Sequence, residues 1–138
     1  MPTMLGVLEA ALYADDLDAA RGFYEDVIGL RMITAKDGRH VFFRCGATVV
    51  LIFRPEATRE APPPDALPVP PHGARGAGHL CFSVPMESLD DWVDRLTAAD
   101  VAVESDFRWP NGARSIYVRD PAGNSIEFAS PKLWDMPE

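Results

Sequence analysis

The sequence predicts an α+β chain made of two tandem copies of one module. Three observations carry this reading. Residues 8–30 and residues 78–101 each read as a short alternating strand, a turn and an amphipathic helix. Each is followed by a strand after a polar turn (Arg39–Cys45 and Arg114–Asp120) and then, past a tight glycine-containing turn, by another (Thr48–Phe53 and Ser125–Ala129). The copies also keep a nearly constant offset: Glu9 and His79 stand 70 residues apart, Leu51 and Glu127 76 apart.

The elements follow in chain order. In Leu8–Ala14, alternation puts Leu8, Ala10, Leu12 and Ala14 on one face and Glu9, Ala11 and Tyr13 on the other. Asp15 or Asp16 is placed to cap the first helix. Leu17, Ala20, Phe23 or Tyr24, and Val27 recur at helical spacing, and Gly29 supplies the stop. Pro55–Arg75 holds Pro55, Pro62, Pro63, Pro64, Pro68, Pro70 and Pro71. Proline cannot feed a sheet ladder or a helix interior, so this stretch reads as an extended spacer of polyproline character. The alternative is a lid over a pocket, with His72 and Arg75 at its mouth.

The second module opens with His79–Val84, where Leu80, Phe82 and Val84 oppose His79, Cys81 and Ser83. Its helix begins near Ser88, with Asp91 completing an imperfect capping box. Leu89, Trp92 or Val93, Leu96 and Ala99 form the apolar stripe, and Asp100 stands where Gly29 stands in the first copy. In the closing strand Ile126 and Phe128 oppose Ser125, Glu127 and Ala129. The boundaries are 1–54 for the first module, 55–77 for the proline-rich linker, 78–131 for the second module and 132–138 for a tail. Leu133 and Trp134 are expected to dock that tail on the body of one structural domain.

Composition narrows the function. A formal charge of −8 over 138 residues provides no basic footprint for phosphates, so nucleic acid is not an expected partner. No apolar run approaches a membrane span. Met1–Gly6 shows no charged leader, and Cys45 and Cys81 form no C-x-x-C pair. The expectation is a cytoplasmic protein with both thiols reduced, as small buried residues.

The two helices cover the apolar strand faces. The opposite faces then present Glu9, His79 and Glu127 among small residues. A buried carboxylate is costly unless paired or bound to a cation. One imidazole with two carboxylates is a mixed nitrogen and oxygen set suited to Zn, Mn, Fe, Ni or Co as the divalent ion. His40, Phe42 and Arg44 share one face of their strand, as do Ser115, Tyr117 and Arg119 of theirs. If those faces line a cup, His40 and Tyr117 hydrogen-bond a substrate and Arg44 holds a carboxylate or phosphate. Arg119, before Asp120-Pro121, also suits a structural ion pair at the turn. Phe107, Trp109 and Trp134 suit an aromatic pocket wall or ordinary packing.

These residues resemble a family. D-D-L-x-x-A-x-x-F-Y-x-D-V-I-G-L after Glu9, then G-H-L-C-F-S-V, then Y-V-R-D-P-A-G-N-S-I-E-F are similar to the vicinal oxygen chelate superfamily. That group includes glyoxalase I, methylmalonyl-CoA epimerase, extradiol dioxygenases, fosfomycin-resistance thiol transferases and bleomycin-binding proteins. The resemblance implies two βαβββ modules whose mixed sheets form a cup around a divalent metal. It implies metal ligands at Glu9, His79 and Glu127, with Leu51 in the fourth position. It implies catalysis of lyase, isomerase or epimerase type on a small oxygen-rich substrate, with Glu9 or Glu127 as base, by a homodimer. The alternatives are an extradiol dioxygenase, a thiol transferase, or a non-catalytic drug- or metabolite-binding protein. One histidine rather than two counts against the dioxygenase.

Overall fold

A computed structural model describes residues 1–138. The chain divides into two units, Met1–Arg75 and Gly76–Glu138. Each holds a four-stranded mixed sheet.

The first unit runs β1 (Glu9–Tyr13), α1 (Leu17–Arg21, continuing as a π-helical turn over Gly22–Val27), β2 (Arg31–Lys36), β3 (His40–Cys45), β4 (Thr48–Phe53) and α2 (Pro55–Thr58). The sheet order is β1-β4-β3-β2, with β1 and β4 parallel and the rest antiparallel. Asp16 caps α1, accepting the Ala19 amide at 3.0 Å. The π turn brings Phe23 and Tyr24, adjacent in sequence, into the core together. They pack with Ala20 and Ile28 over Leu12, Val41, Phe43, Val50 and Ile52, the covered face of the sheet. Tyr24 and Phe43 meet at 5.8 Å between ring centroids.

The second unit runs β5 (His79–Ser83), a 3-10 turn, α3 (Leu89–Ala98), β6 (Ser105–Arg108), β7 (Arg114–Arg119) and β8 (Ser125–Ala129). Its order, β5-β8-β7-β6, repeats the first, again with only the outer pair β5 and β8 parallel. Leu89 and Leu96 of α3 cover Phe82, Ile116, Val118, Ile126 and Phe128, and Trp92 stacks on Phe128 at 4.7 Å. Asp100 takes the left-handed backbone that Gly29 takes in the first unit.

The registers make the repeat exact at the open faces. Ala11 pairs with Leu51, and Cys81 pairs with Glu127. Leu51 and Glu127 are therefore equivalent positions, as their 76-residue offset suggested.

Several local expectations need correction. The capping box at Ser88 does not form, because its backbone is already helical and its hydroxyl donates to the Pro85 carbonyl at 2.7 Å. Ala99 and Leu8 are exposed, lying at or beyond the ends of the covered stretch. Cys81 is exposed on the open face and Cys45 half-buried, so neither is a core residue. Pro55–Thr58 is a helical turn rather than extended chain, which the ring permits because Pro55 occupies the first helical position. The rest of that segment folds back on its own unit: the His72 amide donates to the Thr58 carbonyl, and the imidazole Nδ1 sits 2.6 Å from the Tyr13 hydroxyl.

Candidate metal and substrate site

The motif R-D-P-A-G-N builds the floor of the site in the second unit. Asp120 accepts the backbone amides of Ala122 and Asn124, each at 2.9 Å, and the Asn124 side chain, also at 2.9 Å. Asn124 in turn accepts the Gly78 amide at 2.8 Å. The chain is thus pinned immediately before His79. Gly123 takes a positive φ of 87°, which lets the turn close back onto β8.

His79 then donates from Nδ1 to the Ser125 carbonyl at 3.0 Å, since a carbonyl only accepts. This fixes the ring and turns Nε2 toward Glu127 Oε1, 3.3 Å away. Glu127 is 4 % exposed. Its other oxygen, Oε2, accepts the Ser115 hydroxyl at 2.6 Å, and Ser115 Oγ accepts the Trp109 indole N–H at 2.7 Å. Tyr117, directly opposite Glu127 across the strands, is half-buried. Burial first, then the Glu127 charge, raises the Tyr117 hydroxyl above its ordinary value. Cys81 is exposed as a residue, yet packing around its sulfur and then the Glu127 carboxylate push its thiol up to about 12. Both groups are protonated at neutral pH, and the Cys81 thiol donates to the Phe82 carbonyl at 3.7 Å.

The donor set can be tested against a cation. With Nδ1 committed as a donor, neutral His79 presents a lone pair at Nε2 to a carboxylate oxygen 3.3 Å away. Two acceptors facing each other require a positive charge between them, a proton or a metal ion. Half of the His79 side chain is open to solvent, whereas Glu127 is enclosed, so an ion has a path in. A ligand imidazole held through its other nitrogen is the ordinary second layer of a metal site. The pair fits a divalent metal. No group of three or more His, Cys, Asp or Glu side chains is gathered closely enough to hold a metal ion by itself. Glu9 is exposed on the open face of the first unit, in one row with Val49 and Arg44.

Beside Glu127 lies a hollow of about 420 Å³ lined by Trp109, Pro110, Asn111, Tyr117, Leu133 and Trp134. Phe107 backs its wall, stacking on Tyr117 at 5.9 Å and meeting Trp109 at a tilt of 59° and 4.8 Å between centroids. Asn111 binds the tail through the Lys132 carbonyl at 3.1 Å.

The other expected substrate residues divide by unit. His40 stacks on Phe42 at 4.0 Å, and its buried Nδ1 has no hydrogen-bond partner. Burial, then Arg39 and Lys36, lower its pKa from the ordinary value. Arg44 is exposed on the same face. Arg119 is a structural residue, bonded to Glu104 at 2.8 Å and to the Gly123 carbonyl at 3.1 Å. His72 and Arg75 are also structural: His72 binds Tyr13, and Arg75 pairs with Glu56 and with Asp15. Sequence reasoning missed Ser115 as the carboxylate's partner and Asn124 as the clamp on Gly78. Ser115 stands two residues before Tyr117 on the face already marked, which was the available signal.

Comparison with known proteins agrees with this architecture. The family model for the Glyoxalase/Bleomycin resistance protein/Dioxygenase superfamily matches residues 6–128. Virulence protein STM3117 of Salmonella typhimurium strain LT2 is 30% identical over 122 residues, covering 86% of this chain and 78% of that protein. The crystal structure of lactoylglutathione lyase from Agrobacterium tumefaciens is 46% identical, with a TM-score of 0.93 over 98% of this chain and 100% of that one. TioX from Micromonospora sp. ML1, at 22% identity and a TM-score of 0.69 over 91% of this chain and 98% of its own, shares the fold. The chain belongs to the glyoxalase/bleomycin resistance protein/dioxygenase superfamily.

Proposed function

We propose that the protein is a divalent-metal-dependent enzyme of glyoxalase type, a lyase, isomerase or epimerase acting on a small oxygen-rich substrate. The observation that carries this is the buried Glu127 carboxylate facing the oriented lone pair of His79. The Agrobacterium protein of similar fold is a lactoylglutathione lyase, which supports the lyase among these classes. His79 and Glu127 are two of the ligands, and the family resemblance implies Glu9 of this chain or of a second copy as a further one. A bound divalent ion supplies Lewis acidity toward a substrate oxygen.

The chain's own residues do the rest. Ser115 holds Glu127 Oε2 and so leaves Oε1 for the cation. Glu9 and Glu127 are the carboxylates available to take a proton from a carbon beside a carbonyl. Tyr117, protonated at neutral pH, donates to a substrate oxygen entering the hollow. His40 and Arg44 are the candidate substrate-binding side chains on the open face of the first unit, Arg44 as the group for an anionic oxygen. The working form is a homodimer.

The reading is tested by metal counting. Protein dialysed against Mn²⁺, Ni²⁺, Zn²⁺, Fe²⁺ or Co²⁺ should retain one of these stoichiometrically by plasma mass spectrometry. Glu127→Ala should retain none. Wild-type protein that holds no ion rejects the enzyme reading.

A further inference from the structure

The hollow beside Glu127 has a composition of its own. Three of its walls are the aromatic side chains of Trp109, Tyr117 and Trp134, completed by Pro110 and Leu133. Its one charged lining residue is Glu127, and no Lys, Arg or His lines it. Trp109 is 36% exposed and Trp134 is 77% exposed, so large apolar surface stands open to solvent around a buried carboxylate. Scattered apolar residues on a surface are ordinary, but aromatics gathered around one polar group mark a ligand site.

The platform is also fixed in place. The Trp109 indole is tied through Ser115 Oγ to Glu127 Oε2 by two short hydrogen bonds of 2.7 and 2.6 Å. Phe107 packs at a tilt against Trp109 and stacks on Tyr117, and Tyr117 stacks in turn with His79 at 6.1 Å. The aromatic wall and the ligand pair are therefore one connected piece. A flat group lying on the wall is held at a set distance from His79 and Glu127.

From this we infer the substrate class, on the basis of the metal-site reading above. The substrate carries an uncharged, flat aromatic group that stacks in the Trp109–Trp134 hollow, with its oxygen atoms at one edge reaching the His79–Glu127 pair. No Lys, Arg or His lines the hollow to pair with the free carboxylates of a substrate such as a glutathione conjugate, and the one positive charge beside it, the ion at His79 and Glu127, is taken by the substrate's edge oxygens. A ring of about two fused six-membered cycles fits a volume of about 420 Å³ with room for its oxygens.

The test is calorimetric titration of Zn²⁺-loaded and metal-free protein with 2-hydroxy-1-(2-naphthyl)ethanone, with hydroxyacetone and S-hexylglutathione as comparisons. The naphthyl ketone should bind the loaded protein at least about 10-fold tighter than hydroxyacetone, and S-hexylglutathione should bind more weakly than the naphthyl ketone. Trp109→Ala and Trp134→Ala should each lose most of that advantage, roughly 10-fold, since each removes one face of the aromatic stack. Trp109→Phe should keep most of it, which separates loss of a ring from loss of folding. Equal or tighter binding of S-hexylglutathione overturns the inference, as does unchanged naphthyl affinity in both alanine variants. Dissociation of a dimer by Trp134→Ala with unchanged naphthyl affinity assigns the hollow to a second copy and also overturns it. Metal-free protein that keeps the naphthyl preference but takes up no ion retains the substrate class and refutes the metal reading, so the two failures are distinguishable.

Discussion

Ser115→Ala is the sharpest perturbation of the site, because Ser115 is fully buried and touches no substrate path. It donates to Glu127 Oε2 at 2.6 Å and accepts the Trp109 indole at 2.7 Å. The substitution removes one oxygen and leaves the strand's alternation intact. Trp109 is partly exposed, so water can replace its lost partner; the buried Glu127 carboxylate has no such access. A hydrogen bond to a charged group contributes about 1.5–3 kcal/mol, so metal-free Ser115→Ala should unfold at lower urea with a loss of about 1–3 kcal/mol. Zn²⁺ affinity should fall by roughly 10–100-fold, the usual effect of removing a group that orients a ligand. Competition against a chromophoric chelator measures the affinity. Ser115→Thr, which keeps the hydroxyl and suits a strand, should restore most of it. If Ser115→Ala binds Zn²⁺ as tightly as the wild type, the carboxylate is not oriented from Oε2 and the account of the site is wrong.

Other outcomes follow from the same structure. Glu9→Ala should weaken metal binding with almost no change in urea stability, because Glu9 is exposed and makes no packing contribution; equal metal affinity would remove it from the ligand set. His40 is held below its ordinary value of 6.5 by burial. The unfolded chain takes up that proton first as pH falls, so this contribution to stability is complete above pH 6.5 and is lost below it. His40→Phe should flatten that part of the stability profile, and a profile of unchanged slope would contradict the assignment. Arg114 bonds Asp106 twice at 2.8 Å and Asp90 once at 2.7 Å, tying β6, β7 and α3 together. Arg114→Leu should cost about 1 kcal/mol, after allowance for the exposure of both carboxylates. Because Arg114 holds the Asp106 carboxyl below its ordinary value of 3.8, this difference should vanish as pH falls through and below that value. A difference that persists in acid would place the effect in packing instead.

How much of this was legible in the chain depended on burial. Strands with one apolar face announced themselves by alternation, and the open-face residues Glu9, His79, Tyr117 and Glu127 were read from it directly. β2 and β6 were not individually legible. Arg31–Lys36 and Ser105–Arg108 are outer strands that are exposed over most of their length, and β2 is interrupted by a bulge between Met32 and Thr34. Their pattern carries too little apolar contrast to mark a face. The π turn at Gly22–Val27 was hidden for another reason: either Phe23 or Tyr24 satisfied a helical stripe, and only tertiary packing buries both. Ser115 and Asn124 escaped because small polar residues acquire their meaning from strand pairing: Ser115 meets Glu127 on the neighbouring strand, and Asn124 meets Gly78, 46 positions earlier. The proline-rich stretch was read from composition alone, and composition does not reveal that Pro55 can begin a helix or that His72 finds Tyr13.

The central claim is that His79 and Glu127 hold a metal ion together. X-ray absorption at the zinc edge of Zn²⁺-loaded protein tests it most directly. The account predicts one imidazole nitrogen in the inner shell, the remainder oxygen, no sulfur, and loss of the imidazole signature in His79→Gln. A spectrum with a sulfur scatterer, or with the imidazole retained in His79→Gln, would contradict it.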